Sequence, residues 1–138
     1  MWLIYGLGSA FFAGVTSILA KCGIRKTDSN VATAVRTIVV LLFSWLMVFL
    51  TGSESEIFSI DKGTMCFLIL SGAATGASWL CYYRALQLGP ASAVAPVDKL
   101  SILVTTAFSY LVFGERLSGR SAAVLALLTA GTVLMAVV

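Results

Sequence analysis

The sequence predicts an all-α integral membrane protein of five transmembrane helices. Three observations carry that expectation: 59% of the residues are hydrophobic against 11% charged, the mean hydropathy is +1.01, and nearly all charged residues stand between long apolar runs. A water-soluble domain carries about a quarter charged residues, so lipid must cover most of this surface. Strands are disfavoured, because a membrane-spanning sheet needs many segments of alternating polarity closed into a barrel, and these runs are continuously apolar.

The spans fall at about 2–20, 32–50, 64–83, 92–113 and 120–138, each near the roughly 20 residues that cross a hydrocarbon core. Residues 1–138 then form a single membrane domain with little chain left outside the bilayer. The first stretch, Met1 to Ala20, has no charged side chain. It lacks the positive start of a secretory signal and is expected to remain as a span. The connections at 21–31, 51–63, 84–91 and 114–119 hold polar and turn-forming residues such as Asp28, Ser29, Asn30, Gly89 and Pro90. They are short, so successive helices should be antiparallel neighbours.

Lys and Arg in the connections set orientation. Lys21, Arg25, Lys26 and Arg84 lie on one side and Lys62, Arg116 and Arg120 on the other. This weak bias places the N-terminus outside and the C-terminus in the cytoplasm, and it also permits insertion in both directions. Gly72 and Gly76 form a GxxxG pair, and Ala122, Ala126 and Ala130 recur every four residues; such spacing serves packing within the chain or dimerisation.

Composition also excludes several functions. The basic residues, with a net charge of +3, form no stripe that would follow a phosphate backbone, so nucleic acid is not expected as a partner. Cys22, Cys66 and Cys81 are odd in number and sit in or beside apolar segments, which suits small apolar packing rather than disulfides or metal. With no histidine, a Ser-His-Asp arrangement is out of reach and no phosphate-cradling glycine loop is present. No enzyme activity, catalytic residue, cofactor or metal is expected.

Arg36, Asp98 and Lys99 are the costly residues, because a charge near the middle of a spanning helix costs roughly 2.5–3.5 kcal/mol on insertion scales. At about 1.5 Å per residue, Arg36 lies roughly 8 Å into the second span and Asp98 and Lys99 roughly 10 Å into the fourth, from the same side. Together with Lys21 and Arg84 at the helix ends, they could form one layer suited to an anionic or zwitterionic solute. The alternative for the basic groups is snorkelling to the headgroups, favoured for Lys21 and Arg84. Asp98 is too short for that, leaving a buried salt bridge or solute and proton handling. It is the one acid within a span, hence the candidate proton carrier. Neighbouring residues on a helix point about 100° apart, so Asp98 and Lys99 cannot both face one partner, and Pro96 can loosen the local turn. Trp79, Tyr82 and Tyr83 share a helix face. An interfacial aromatic belt or a pocket wall would account for them, Trp79 being the deeper ring and the better one for stacking on a solute.

The stretch from Trp79 to Ser118, WLCYYRALQLGPASAVAPVDKLSILVTTAFSYLVFGERLS, resembles the EamA family of the drug/metabolite transporter superfamily. The likeness lies in an aromatic-rich helix end, an AL-x-x-G turn, a Ser-Ala-Val-Ala-Pro helix start, a helix ending in FGE and a late glycine, Gly131. The resemblance implies a carrier of small metabolites that works by alternating access without ATP. Typical members have ten helices in two five-helix halves of opposite orientation around a central pocket, and this chain resembles one such half-repeat. By that likeness the pocket draws on Trp79, Tyr83, Ser92, Pro96, Asp98 and Ser101. The charged Asp98-Lys99 pair departs from the uncharged pattern of two-half members. Inverted-repeat carriers place the site between repeats, so a five-helix chain implies an antiparallel homodimer or a paired five-helix partner. The function expected is that of a secondary transporter subunit for a small polar or amphipathic metabolite in a bacterial inner membrane. An accessory or structural membrane subunit, with Arg36 and Asp98 merely tying helices together, is the alternative.

Overall fold

The computed structural model describes residues Met1–Val138 and is all-helical. Its elements are α1 (Trp2–Gly23), α2 (Ser29–Thr51), a 3-10 helix (Glu54–Ser59), α3 (Lys62–Leu88), α4 (Ala91–Asp98), α5 (Ser101–Phe108), a π turn (Ser109–Phe113) and α6 (Gly119–Val137). Five membrane-crossing segments result, because α4, α5 and the π turn run on as one span from Ala91 to Phe113.

Local chemistry fixes the helix ends. Asp28 caps α2 by accepting hydrogen bonds at Oδ1 from the backbone N–H of Asn30 (2.9 Å) and Val31 (3.4 Å), satisfying donors that have no partner inside the helix. At the other end Gly52 turns left-handed, with φ 69°, and the N–H of Ser53 reaches the carbonyl of Val48 at 3.1 Å. That is the glycine-terminated closure expected where a side chain would be strained. Asp61 does for α3 what Asp28 does for α2. It accepts from the Thr64 backbone N–H at 3.2 Å and from the Thr64 hydroxyl at 2.5 Å.

The fourth span is not the continuous helix that its apolar run suggests. Pro96 lies inside α4, where it has no N–H to donate and its ring crowds the carbonyl four residues back. Just after it the ladder tightens from four-residue to three-residue bonds: Lys99 N–H to Pro96 carbonyl, Leu100 to Val97, Ile102 to Lys99 and Leu103 to Leu100, at 2.9–3.1 Å. Lys99 (φ −70°, ψ −9°) and Leu100 (φ −62°, ψ −14°) depart from α-helical ψ and form the joint between α4 and α5. The span then widens into its π turn and ends at Gly114, left-handed at φ 65°.

Two compact units make up the chain. The first comprises Met1–Leu19 and Leu88–Val138, with α4 packed against α6. The second is Ala20–Gln87. Its covered residues, Ala20, Ile24, Ser29, Thr33, Tyr83 and Leu86, gather where α1 ends, α2 begins and α3 ends. Two cross-connections hold that end together. Lys21 donates through Nζ to the carbonyl of Leu86, and Gln87 donates through Nε2 to the carbonyl of Thr27 at 3.2 Å. The remaining helix faces are broadly apolar and exposed, as lipid-facing helices must be. Cys22, Cys66 and Cys81 are free and lie on those exposed faces, so they do not serve as packers within the chain. A Cβ added at Gly72 or Gly76 would meet no atom within 4 Å; their helix face is therefore not used for close packing here.

Candidate functional site

The site is built on the antiparallel pair α2 and α3. The bond from Gln87 to the Thr27 carbonyl levels the end of α3 with the start of α2. Arg36 is seven residues into α2 from Ser29, while Tyr83 and Trp79 are five and nine residues before the end of α3 at Leu88. At about 1.5 Å per residue the three side chains share a layer roughly 10 Å inside the helix ends.

In that layer the guanidinium carbon of Arg36 lies 4.2 Å from the centroid of the Trp79 ring and 5.5 Å from that of Tyr83. Tyr83 is 3% exposed, so protein rather than headgroup surrounds its ring. The i, i+4 spacing of the two aromatics stacks them on one face of α3, and Arg36 meets both. A guanidinium over an aromatic face gains about 0.5–1 kcal/mol in water and about 2 when desolvated. That offsets part, though not all, of the roughly 2.5–3.5 kcal/mol cost of a mid-span charge. Arg36 therefore does not snorkel. Its guanidinium sits between a ring rooted deeper than its own backbone and one rooted shallower.

The basic groups at the helix ends are engaged locally. Lys21 bonds the Leu86 carbonyl, and Arg84 donates through Nη1 to Oε1 of Gln87 at 2.7 Å.

The other candidate residues belong to the first unit. Ser92 lies exposed in the first turn of α4 and Ser101 opens α5, also exposed. Pro96 is half-buried beside an open groove of about 670 Å³, lined by Lys99 and by Leu127, Gly131, Thr132 and Met135 of α6. Asp98 and Lys99 face each other, Nζ to Oδ2 at 3.8 Å. Neighbours on a regular helix could not meet so readily, but Lys99 already belongs to the joint. Neither side chain is buried, their exposures being 38% for Asp98 and 60% for Lys99.

Thr132 is a residue that sequence reasoning passed over. It is 5% exposed, its hydroxyl donates to the Leu128 carbonyl at 2.8 Å, and it lines the groove next to Gly131. Its signal was a hydroxyl beside a glycine in an otherwise apolar helix.

A polypeptide with five membrane-crossing helices, holding a guanidinium on aromatic rings within a span, is a multi-pass membrane protein with polar chemistry at bilayer depth. Comparison with known proteins gives the class more narrowly. Residues 1–137 match the EamA-like transporter family, and the chain belongs to that family of membrane transporters. It is 44% identical over 136 residues to an uncharacterised transporter in the cobO 3′ region of Sinorhizobium sp., an alignment covering 99% of this chain and 96% of that relative. No solved structure matches it.

Proposed function

We propose that this chain is one half of a secondary transporter that moves a small polar or amphipathic metabolite across the bacterial inner membrane by alternating access. The observation that carries this reading is Arg36, kept within its span on Trp79 and Tyr83 at an energetic cost that a purely structural helix contact would not require. Solute binding is assigned to these three in the second unit and to Ser92, Pro96, Asp98, Lys99 and Ser101 in the first, with Asp98 as the proton-coupling carboxylate. The joint at Lys99 and Leu100 supports a moving part, since interrupted spans line the solute pathway in inverted-repeat carriers.

The working unit in this reading has ten helices, supplied by an antiparallel homodimer or by a five-helix partner. Two facts support it: the relative is matched over 96% of its length by this one repeat, and the Gly72/Gly76 face stands open, as a close helix contact with another chain requires.

The test is uptake of a labelled metabolite panel by proteoliposomes holding the purified chain, with and without a pH gradient. Saturable, gradient-driven accumulation that Asp98→Asn abolishes is the expected result; no flux of any solute in any oligomeric form overturns the proposal. C-terminal reporters active on only one side of the membrane address assembly, and a single strongly preferred side rejects the homodimer.

A further inference from the structure

We infer that Arg36 is a carboxylate receptor and that the solute is a small monocarboxylate, its charged end bound by the guanidinium and its organic body lying against Trp79. The inference rests on the transport reading above and names its substrate class.

Stacking occupies the flat face of the guanidinium and leaves its N–H edge free. Arg36 is in no ion pair, the one in the chain joining Asp98 to Lys99. None of its side-chain N–H groups has a protein acceptor, its contacts being the two rings. A fixed planar fork of donors, without acceptor and at bilayer depth, suits the two oxygens of a carboxylate, which it can bind side by side.

The counter-charge has no source in the same unit. Its acids, Asp28, Glu54, Glu56 and Asp61, all lie in the connections, and Asp28 and Asp61 are engaged in capping. Lys21 and Arg84 keep their charges but direct donors to neutral acceptors nearer the helix ends, the Leu86 carbonyl and Oε1 of Gln87. Arg36 is therefore the cation held against the rings, and a single guanidinium fork matches a single carboxylate. The Trp79 ring supplies an apolar wall beside that charge, which selects an organic acid over an inorganic anion.

The test uses the full chain in phosphatidylcholine nanodiscs with Trp2→Phe and Trp45→Phe, leaving Trp79 as the sole reporter. Benzoate is the probe, with benzamide and benzylamine as neutral and cationic counterparts of similar shape. Benzoate should change Trp79 emission saturably, with both counterparts weaker by about tenfold or more, as for one lost charge-assisted contact. Arg36→Gln should abolish the response, and Arg36→Lys, which keeps the charge but not the fork, should weaken it.

Equal binding of benzamide or benzylamine, or a response unchanged in Arg36→Gln, overturns the inference. A second measurement avoids substitution: phenylglyoxal modification mapped by mass spectrometry, in which benzoate but not benzamide should protect Arg36. Protection by phosphatidylglycerol with none from benzoate would make the bound anion a lipid headgroup and overturn the solute assignment. Flux of neutral solutes by a chain that does not bind benzoate defeats the carboxylate inference and leaves transport standing. Benzoate binding without flux of any solute does the reverse.

Discussion

The guanidinium of Arg36 stacks on the indole of Trp79, 4.2 Å from ring centre to charge, and this contact joins α2 to α3 within the membrane. It is both a fastening and an exposed recognition edge, because the ring occupies a face of the cation that hydrogen bonding does not use.

A double-mutant cycle should measure that fastening. Arg36→Met and Trp79→Leu, each compared with the pair in mixed-micelle unfolding, should show a coupling of about 0.5–2 kcal/mol. Additivity within a few tenths would mean that the stack contributes nothing to stability.

Lys21 closes the same end of the unit, nearer the helix termini, by binding the Leu86 carbonyl, which lies in the last turn of α3 and has no intrahelical donor. Replacing Lys21 with Met keeps the stem and removes the donor. We expect a loss of about 1.5–3 kcal/mol, as for a hydrogen bond from a charged group, together with faster backbone exchange in the final turns of α3. Loss confined to α1 would contradict the assignment.

Asp61 sits at the head of α3, where the hydroxyl and then the backbone N–H of Thr64 hold its carboxyl below the usual carboxylate value of 3.8. A lowered folded-state pKa means that the unfolded chain binds the proton more readily, so the cap is fully effective above the ordinary value and fades as pH falls through the lowered one. The protection of the Thr64 amide, its exchange measured against the intrinsic rate at each pH, should fall in acid in the wild type. In Asp61→Asn that loss of protection with falling pH should vanish.

Pro96→Ala should lengthen α4 through the joint, converting the three-residue bonds at Lys99 and Leu100 into regular helical ones. The variant should exchange more slowly at Leu100 and resist unfolding better, while solute flux in proteoliposomes falls. Unchanged flux would show that the joint is not a moving part.

Much of the fold was legible because lipid imposes a simple rule. Apolar runs of about 20 residues must become helices, and the five spans follow that rule to within a few residues at most ends, with α3 running on to Leu88. Motif residues of the family likeness also have visible work: Leu86 of the AL-x-x-G turn is fully buried, and Gly114 of FGE takes the left-handed turn that ends the fourth span. Hydropathy could not reveal the break near Pro96, since all its pieces are equally apolar. Nor could spacing alone decide between a headgroup belt and a charge clasp for Trp79 and Tyr83, because the partner lies more than 40 residues away in sequence. The Lys21–Leu86 bond was illegible for a plainer reason, its acceptor being a backbone atom that every residue possesses.

The closeness of Asp98 and Lys99 bears on biogenesis. Two opposite charges in adjacent positions, 3.8 Å apart at their tips, present the translocon with a local dipole rather than two separate ions, and the field of a dipole decays faster with distance than that of a single charge. The fourth segment can thus partition into the bilayer at a lower cost than two separated ions would impose, and Lys99, lying inside its span, is not among the connection residues whose Lys and Arg decide which way the nascent chain is threaded.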